Sequence, residues 1–253
     1  MKDESIKENR RGIYLLPNLF TTAGLFAGFY AIVAAMKGMF DIAAIAVFIA
    51  MIADSLDGRV ARLTNTQTAF GAEYDSLSDI VSFGIAPALI MYNWTLYHLG
   101  KFGWLAVFLY TAAGALRLAR FNTQVGIADK NYFQGLPIPA AAAIISGFVW
   151  VGHQYGTTPS IFANSIIACF TVIVAGLMVS TIRYYSFKDF NLKNKVPFIA
   201  ILIVILIFVA ISIDPPEVLF LLFFFYGISG IFYTVISRQK LRRAKKKLMI
   251  EKS

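Results

Sequence analysis

The chain has 253 residues, of which 58% are hydrophobic, a formal net charge of +9 and a mean hydropathy of +0.67. Soluble domains are nearer about 45–50% apolar, so this composition excludes an ordinary soluble fold and predicts an integral membrane protein. The basic residues flank hydrophobic runs, which favours contact with anionic membrane lipids over binding of nucleic acid. A single cysteine excludes an intramolecular disulfide.

The hydrophobic pattern predicts an all-α membrane protein, because each spanning helix needs about 20 mostly apolar residues. An N-terminal segment is predicted to lie at the membrane interface, ahead of the first span. Eight spans are then expected at about 14–36, 40–62, 72–97, 102–121, 136–153, 161–182, 196–213 and 217–236. A basic tail follows the last of them.

The distribution of basic residues predicts the orientation of these spans. With a cytoplasmic N-terminus, 21 of the 23 Lys and Arg residues fall on the cytoplasmic side, and only Lys37 and Lys101 fall outside. Such an asymmetry follows the positive-inside rule. We therefore expect a multi-pass protein of the inner or plasma membrane of the cell, with both termini in the cytoplasm.

Four aspartates lie at the cytoplasmic ends of the second and third predicted spans. Asp54 and Asp57 share one helix face, and Asp75 and Asp79 share another, because residues three or four apart are neighbours on a helix. A short connection joins the two spans, so we expect antiparallel neighbours whose carboxylates surround one small volume. Ionisable residues inside a membrane are functional candidates by default.

Clustered carboxylates repel one another, and burial adds to the cost, so cations are expected among them. Hard divalent cations prefer oxygen ligands, and the absence of cysteine and histidine from this stretch argues against zinc. Gly58 and Gly71 leave space for a ligand, and Arg62 suits a phosphate oxygen. Asp79 lies one turn deeper than Asp75 and is a candidate general base. Together these features predict chemistry on a diphosphate, with one or two metal ions.

The same residues carry a family resemblance. The spacing Asp54-x-x-Asp57-Gly58-x-x-Ala61-Arg62, eight residues, then Gly71-x-x-x-Asp75-x-x-x-Asp79 resembles the signature of the CDP-alcohol phosphotransferases at every specified position. The resemblance implies a six-helix core within residues 1–182, followed by two additional helices and the basic tail in 183–253. It also implies a homodimer.

The resemblance further implies roles for individual residues. The four aspartates would hold two divalent cations, Mg²⁺ or Mn²⁺, and Asp79 would also act as the base. Gly58, Ala61, Arg62 and Gly71 would surround the CDP group. Three residues near the start of the first span are expected to contact the nucleotide or the lipid phosphates, namely Asn18, Thr21 and Thr22.

Four further segments resemble the phosphatidylserine synthase branch of this family, namely "LPNLFTTAGLFAGF", "DSLSDIVSFGIAPA", "LRLARFN" and "FQGLPIP". The implied reaction joins CDP-diacylglycerol and L-serine to give phosphatidylserine and CMP. Arg117 and Arg120 are candidates for binding the serine carboxylate, and Ser78 and Ser82 for helping to hold the amino acid.

Two alternatives remain open from the sequence. The first is the same chemistry with another acceptor, such as glycerol 3-phosphate, inositol phosphate or choline. The second, from a different class, is a cation- or proton-coupled transporter that uses the aspartates to bind its ions. A transporter would favour broken helices at the bilayer midplane and related halves, and the sequence gives neither signal.

Overall fold

The computed structural model describes residues 2–64, 66–123, 132–156, 160–185 and 198–250, with side chains from Pro17 to Val235 apart from a few positions beside the gaps. A π-helix, Ile80–Ile85, joins α3 to α4, and a 3₁₀ turn, Leu96–Leu99, follows α4. Strands β1 (Tyr132–Gln134) and β2 (Arg183–Tyr185) form an antiparallel pair. The α-helices are α1 Lys2–Met36, α2 Phe40–Leu63, α3 Ala69–Asp79, α4 Ala86–Trp94, α5 Lys101–Thr123, α6 Ile138–Gln154, α7 Ile161–Val179, α8 Phe198–Ile213 and α9 Pro215–Ile250.

These elements confirm an all-α membrane protein. When α3, the π-helix and α4 are taken as one bent unit, each of the eight predicted spans falls on one helical unit. Four segments within the described residues are long and apolar enough to cross a bilayer, namely Pro17–Met36, Lys101–Thr123, Ile161–Val179 and Pro215–Val235. α6 and Ile201–Ile213 are shorter apolar helices. A membrane-embedded chain therefore follows from length and composition together.

The ends of the first and last helices differ from the expected bounds. α1 is continuous from Lys2 and contains Pro17, so no break in the backbone separates an interfacial segment from the first span. α9 continues beyond the predicted end at 236 to Ile250, and its last turns are basic. The described backbone of the tail is thus a helical extension of the last span.

The third predicted span is interrupted at its centre by the π-helix. Pro87 has no backbone N–H for the carbonyl of Phe83, which an unbroken α-helix would bond at that step. Two residues of α5 supply donors instead: the Tyr110 hydroxyl donates to the Phe83 carbonyl at 3.0 Å, and Thr111 Oγ1 to that of Gly84 at 3.3 Å. The helix can break within the protein because these carbonyls are satisfied by a neighbouring helix.

α1 occupies a central position that the sequence analysis did not predict. α2 and α3 meet at their aspartates but make few other direct contacts, and α1 packs against both, so the expected pair of helices depends on a third. Gly24 lies against Ala50 and Ala53 of α2, and a Cβ at Gly28 would collide with Ser82 of the π-helix. Small residues one turn apart let helices approach closely in membranes, and here they pack α1 against both α2 and the π-helix.

Candidate active site

Three aspartates form the centre of the site. Carboxylate oxygens of Asp54, Asp57 and Asp75 all lie within 4.8 Å of one another. α2 supplies the first two and α3 supplies the third, across the cleft that α1 closes from behind. Three carboxylates this close repel unless a cation lies among them, and the all-oxygen donor set fits a hard divalent cation. The donors of this chain therefore fit the metal that the sequence predicts.

A hydrogen bond from α1 fixes one of these carboxylates. Thr21 Oγ1 lies 2.7 Å from Oδ2 of Asp57, and both side chains are 5% exposed. A partner that donates to one oxygen of a ligating carboxylate orients its other oxygen. Thr21 was expected to contact the nucleotide or phosphates; the structure shows its hydroxyl bonded to Asp57, and the nucleotide contact stays a prediction.

Asp79 lies at the last position of α3, where the helix changes to the π-helix. It is outside the group of three whose oxygens lie within 4.8 Å, although it interacts electrostatically with all three. Arg117 of α5 is its other electrostatic partner. Asp79 thus has both the aspartate cluster and a buried arginine as electrostatic neighbours, a setting that suits a base next to the reacting groups.

Small residues leave open space beside the aspartates. A Cβ added at Gly58 would meet no atom within 4 Å among the described residues. Gly71 lies in the first turn of α3, with Asn18 Oδ1 3.5 Å from the position its Cβ would take. Ala61 is half-buried on α2 one turn beyond Asp57. Open space therefore lies next to Gly58, directly after Asp57 on α2, where a ligand can approach the backbone closely.

Two polar side chains mark the edge of that space. Arg62 Nε donates to the carbonyl of Gly58 at 2.8 Å, and the side chain is exposed. This bond uses one of the five N–H groups of the guanidinium, so others remain for a phosphate. Thr22 Oγ1 lies 3.0 Å from the Tyr74 hydroxyl, which ties α1 to α3. Sequence reasoning did not identify Tyr74, and no spacing rule in the motif indicates it.

Arg117 and Arg120 have different environments although they are one turn apart. Arg117 is 7% exposed, and in the described part of the chain its Nε has no hydrogen-bond partner. Arg120 donates from its guanidinium to the carbonyls of Val179 at 2.9 Å and Met178 at 3.1 Å, at the end of α7. Arg120 therefore supports the fold, whereas Arg117 is buried with one N–H group that has no partner among the described residues.

Ser78 and Ser82 direct their hydroxyl protons towards α1. Ser78 Oγ donates to the Thr21 carbonyl and Ser82 Oγ to the Gly24 carbonyl, each at 3.2 Å, and both residues are buried. These bonds fasten α3 and the π-helix to α1. A role for either hydroxyl in holding serine stays a prediction, and it would have to use the oxygen lone pairs.

Comparison with known proteins then decides the family. Residues 14–182 match the family described as CDP-alcohol phosphatidyltransferase, and this range contains the whole aspartate site. The chain belongs to this family. It is therefore an enzyme, and the transporter alternative loses its support. The matched range runs from α1 to α7, so α8 and α9 lie outside the part that the family shares.

Three relatives illustrate where the chain lies within the CDP-alcohol phosphatidyltransferases. It is 40% identical to CDP-diacylglycerol–serine O-phosphatidyltransferase of Helicobacter pylori strain 26695, over 85% of this chain and 90% of that protein. The protein of the same name from Methanocaldococcus jannaschii is 40% identical over 73% and 80% of the two chains. The archaetidylserine synthase of Methanothermobacter thermautotrophicus is 38% identical over 67% and 69%.

Proposed function

We propose that this enzyme transfers the phosphatidyl group of CDP-diacylglycerol to the hydroxyl of L-serine, giving phosphatidylserine and CMP. The observation that carries the proposal is the cluster of Asp54, Asp57 and Asp75 in a chain similar over most of its length to enzymes named for this reaction. The names of the bacterial and archaeal relatives all specify serine, whereas the lipid differs between them. Serine is thus the better supported acceptor.

The aspartates are proposed to hold two divalent cations, Mg²⁺ or Mn²⁺. Asp54, Asp57 and Asp75 have the mutual distances for this role, and Asp79 would complete the set from the end of α3. When bound, such cations would neutralise charge on the diphosphate and on the departing CMP. The aspartates would thereby fix the diphosphate next to Gly58, where the described part of the chain leaves space.

The nucleotide is proposed to lie along the opening between α1, α2 and α3. Gly58, Ala61 and Gly71 would let its phosphates and ribose approach the helices closely. Arg62 would use its remaining N–H groups for a phosphate oxygen. Three residues of α1 would lie around the same group, with Thr21 acting through Asp57, namely Asn18, Thr21 and Thr22.

Bond formation would occur between the serine hydroxyl oxygen and the phosphorus that carries diacylglycerol. The bond from that phosphorus to the bridging oxygen breaks, and CMP leaves with the electron pair. Asp79 is proposed to take the hydroxyl proton, because the aspartate cluster and the buried Arg117 are both its electrostatic neighbours. The proton then passes to solvent, so that the enzyme returns to its starting state.

The acceptor would lie on the α5 side of Asp79. Arg117 is proposed to bind the serine carboxylate, because its guanidinium is buried and its Nε lacks a hydrogen-bond partner among the described residues. Arg120, also a candidate, would contribute mainly by holding the end of α7. Ser78 and Ser82 would lie beside this region, and their hydrogen bonds to α1 would fix the positions of α3 and the π-helix.

The proposed setting is the cell membrane, with both termini and the aspartates on the cytoplasmic side. The asymmetry of basic residues supports this orientation, and the basic tail would contact anionic lipids. A homodimer is proposed from the family resemblance. In the proposed orientation, a nucleotide substrate would reach the space beside the aspartates from the cytoplasm.

An acceptor panel on purified protein tests the proposed function. CMP release from CDP-diacylglycerol is measured with Mg²⁺ or Mn²⁺ and, separately, L-serine, glycerol 3-phosphate, inositol phosphate or choline. We expect release to be fastest with L-serine and the lipid product to be phosphatidylserine. The Asp57→Asn variant, which keeps the side-chain size, is the inactive control. Faster release with another acceptor would overturn the assignment of serine and leave the family intact.

A further inference from the structure

A series of contacts joins α5 to the bent unit formed by α3, the π-helix and α4. At one end of the series, the buried Tyr110 hydroxyl donates to the Phe83 carbonyl at 3.0 Å. At the other end, Asn122 Nδ2 donates to Ser76 Oγ at 2.9 Å. Later residues of α5 thus meet earlier residues of the bent unit, so the two run antiparallel where they touch.

Gly114 of α5 lies between these two hydrogen bonds. A Cβ added there would lie 3.7 Å from Cδ1 of Ile80, the residue directly after Asp79. The same Cβ would lie only 2.9 Å from Cδ1 of Ile138. The absence of a side chain at Gly114 therefore helps α5 to lie close to the start of the π-helix.

These contacts locate Arg117 relative to the proposed base. On α5 it lies between Gly114 and Asn122, whose partners on the bent unit lie on either side of Asp79. Because residues follow one another along a helix at about 1.5 Å, the antiparallel pairing places Arg117 opposite the end of α3 that carries Asp79. Arg117 is buried there, and its electrostatic interaction with Asp79 agrees with this pairing.

The register of this pairing depends on side chains of α5. Pro87 offers no N–H, so the Phe83 carbonyl needs a donor from another helix. Tyr110 supplies that donor, and Thr111 Oγ1 donates in the same way to the Gly84 carbonyl at 3.3 Å. A buried carbonyl without a partner is costly, so α5 and the π-helix are held at a register that satisfies both carbonyls.

We propose that Tyr110 is a positioning residue of the reaction, which sets the register of α5 against the bent unit and thereby holds Arg117 opposite Asp79. This inference rests on the proposed function, in which Asp79 takes the serine proton and Arg117 binds the serine carboxylate. Tyr110 lies about two helical turns from Arg117 and is fully buried, so it acts through this alignment and not by touching the substrate.

The size of the acceptor makes the alignment important. Serine is small, so the groups that meet its hydroxyl and its carboxylate must keep a fixed separation although they belong to different helices. A misplacement of about 1 Å can cost up to about a hundredfold in rate. The proposed CDP-diacylglycerol contacts belong to α1, α2 and α3, so a shift of α5 should impair the use of serine selectively.

The test compares Tyr110→Phe with Thr95→Val, which removes another buried hydroxyl bond between helices. Thr95, directly after α4, donates to Asn164 Oδ1 of α7 at 2.5 Å. CMP release is titrated separately with L-serine and with CDP-diacylglycerol, and thermal unfolding is measured in detergent. We expect Tyr110→Phe to lower kcat/KM for serine about tenfold, with the KM for CDP-diacylglycerol changed less than about twofold. Thr95→Val should lower the unfolding temperature alone.

A double-mutant cycle shows whether Tyr110 acts through Arg117. In an Arg117→Gln background, Tyr110→Phe should lower kcat/KM for serine no further, because the alignment that it supports no longer matters. Asn122→Ala provides a second variant, which removes the amide that donates to Ser76 at the other end of the series. Because Asn122 is exposed, this variant should fold normally and show the same selective loss with serine.

The outcomes separate this proposal from the proposed function. If the unmodified protein uses serine and folded Tyr110→Phe keeps its kcat/KM for serine, the positioning role is wrong and the proposed function stands. A loss that falls equally on both substrates, a matching loss in Thr95→Val, or a full additional effect in the Arg117→Gln background would also overturn it. Should Tyr110→Phe fail to fold, unchanged use of serine by Asn122→Ala overturns the proposal. If the unmodified protein releases no CMP with serine, both proposals fail.

Discussion

Thr21 and Asp57 are 36 residues apart in the chain and joined by a 2.7 Å hydrogen bond. The bond crosses from α1 to α2. Because it fixes one carboxylate oxygen of Asp57, it also sets the direction of the other oxygen. The site is thus held from behind by the first helix, and not only by the two helices that carry the aspartates.

We predict that Thr21→Val, which keeps the shape and removes the hydroxyl, weakens metal binding. Loss of a supporting hydrogen bond to a ligating residue commonly costs about 10–100-fold in metal affinity. The Mn²⁺ concentration for half-maximal activity should therefore rise by about tenfold. Thr171→Val on α7 is the matched control, because the Thr171 hydroxyl donates to the Ile167 carbonyl of its own helix. An equal shift in both variants would contradict the supporting role.

Gly28→Ala should destabilise the protein in detergent, because the added methyl group meets both the backbone and the side chain of Ser82. Forcing α1 away from the π-helix should cost about 1–3 kcal/mol, as overpacking does elsewhere. Gly176→Ala on α7 is the control, since an added Cβ there meets no described atom within 4 Å and alanine favours helix. The measurement is the thermal unfolding temperature, which should fall only for Gly28→Ala.

Variants of the two arginines of α5 should differ in phenotype, one in stability and the other in the KM for serine. Arg120→Gln removes bonds to the carbonyls at the end of α7, so we expect lower stability, by about 1–3 kcal/mol, with a smaller change in the KM for serine. Arg117→Gln should raise the serine KM roughly tenfold to hundredfold with CDP-diacylglycerol binding retained. Steady-state kinetics and thermal unfolding of both variants provide the test. Normal serine binding in Arg117→Gln would remove this residue from the acceptor site.

Orientation is tested by thiol labelling in intact cells. Cys169, which is exposed, is first replaced by serine. A cysteine at Gln154, exposed at the end of α6, should then react with an impermeant reagent from outside. A cysteine at Gln67, exposed between α2 and α3, should react only after the membrane is opened. Labelling of position 67 from outside would reverse the proposed topology.

The local spacing of residues in the sequence was sufficient to predict the helices and the meeting of three aspartates. Each predicted span falls on a helical unit, and Asp54, Asp57 and Asp75 meet as expected. The packing of α1 against both α2 and α3 depends on long-range contacts, although Gly24-x-x-x-Gly28 was a usable signal. The sequence analysis missed this because a short connection between two helices does not show which third helix supports them.

The different environments of Arg117 and Arg120 could not be predicted from the sequence. Both lie on one face of α5, and the carbonyls at the end of α7 that accept from Arg120 come from residues 58 to 60 positions away. The antiparallel pair of β1 and β2 is also built from distant segments. Spacing within a motif identifies candidate residues, whereas the partners of each residue depend on the tertiary fold.

The π-helix at Ile80–Ile85 also sets the rotation between the two halves of one span. Each residue of an α-helix advances the chain by about 100° around its axis, and a wider turn shifts that count. Deleting one residue between Asp79 and Pro87 would restore a regular helix in length but turn the aspartates by about a quarter of a revolution relative to α4. The π-helix therefore turns α3 and α4 relative to each other. As a result, α4 packs with its own apolar face while α3 directs its carboxylates into the cleft.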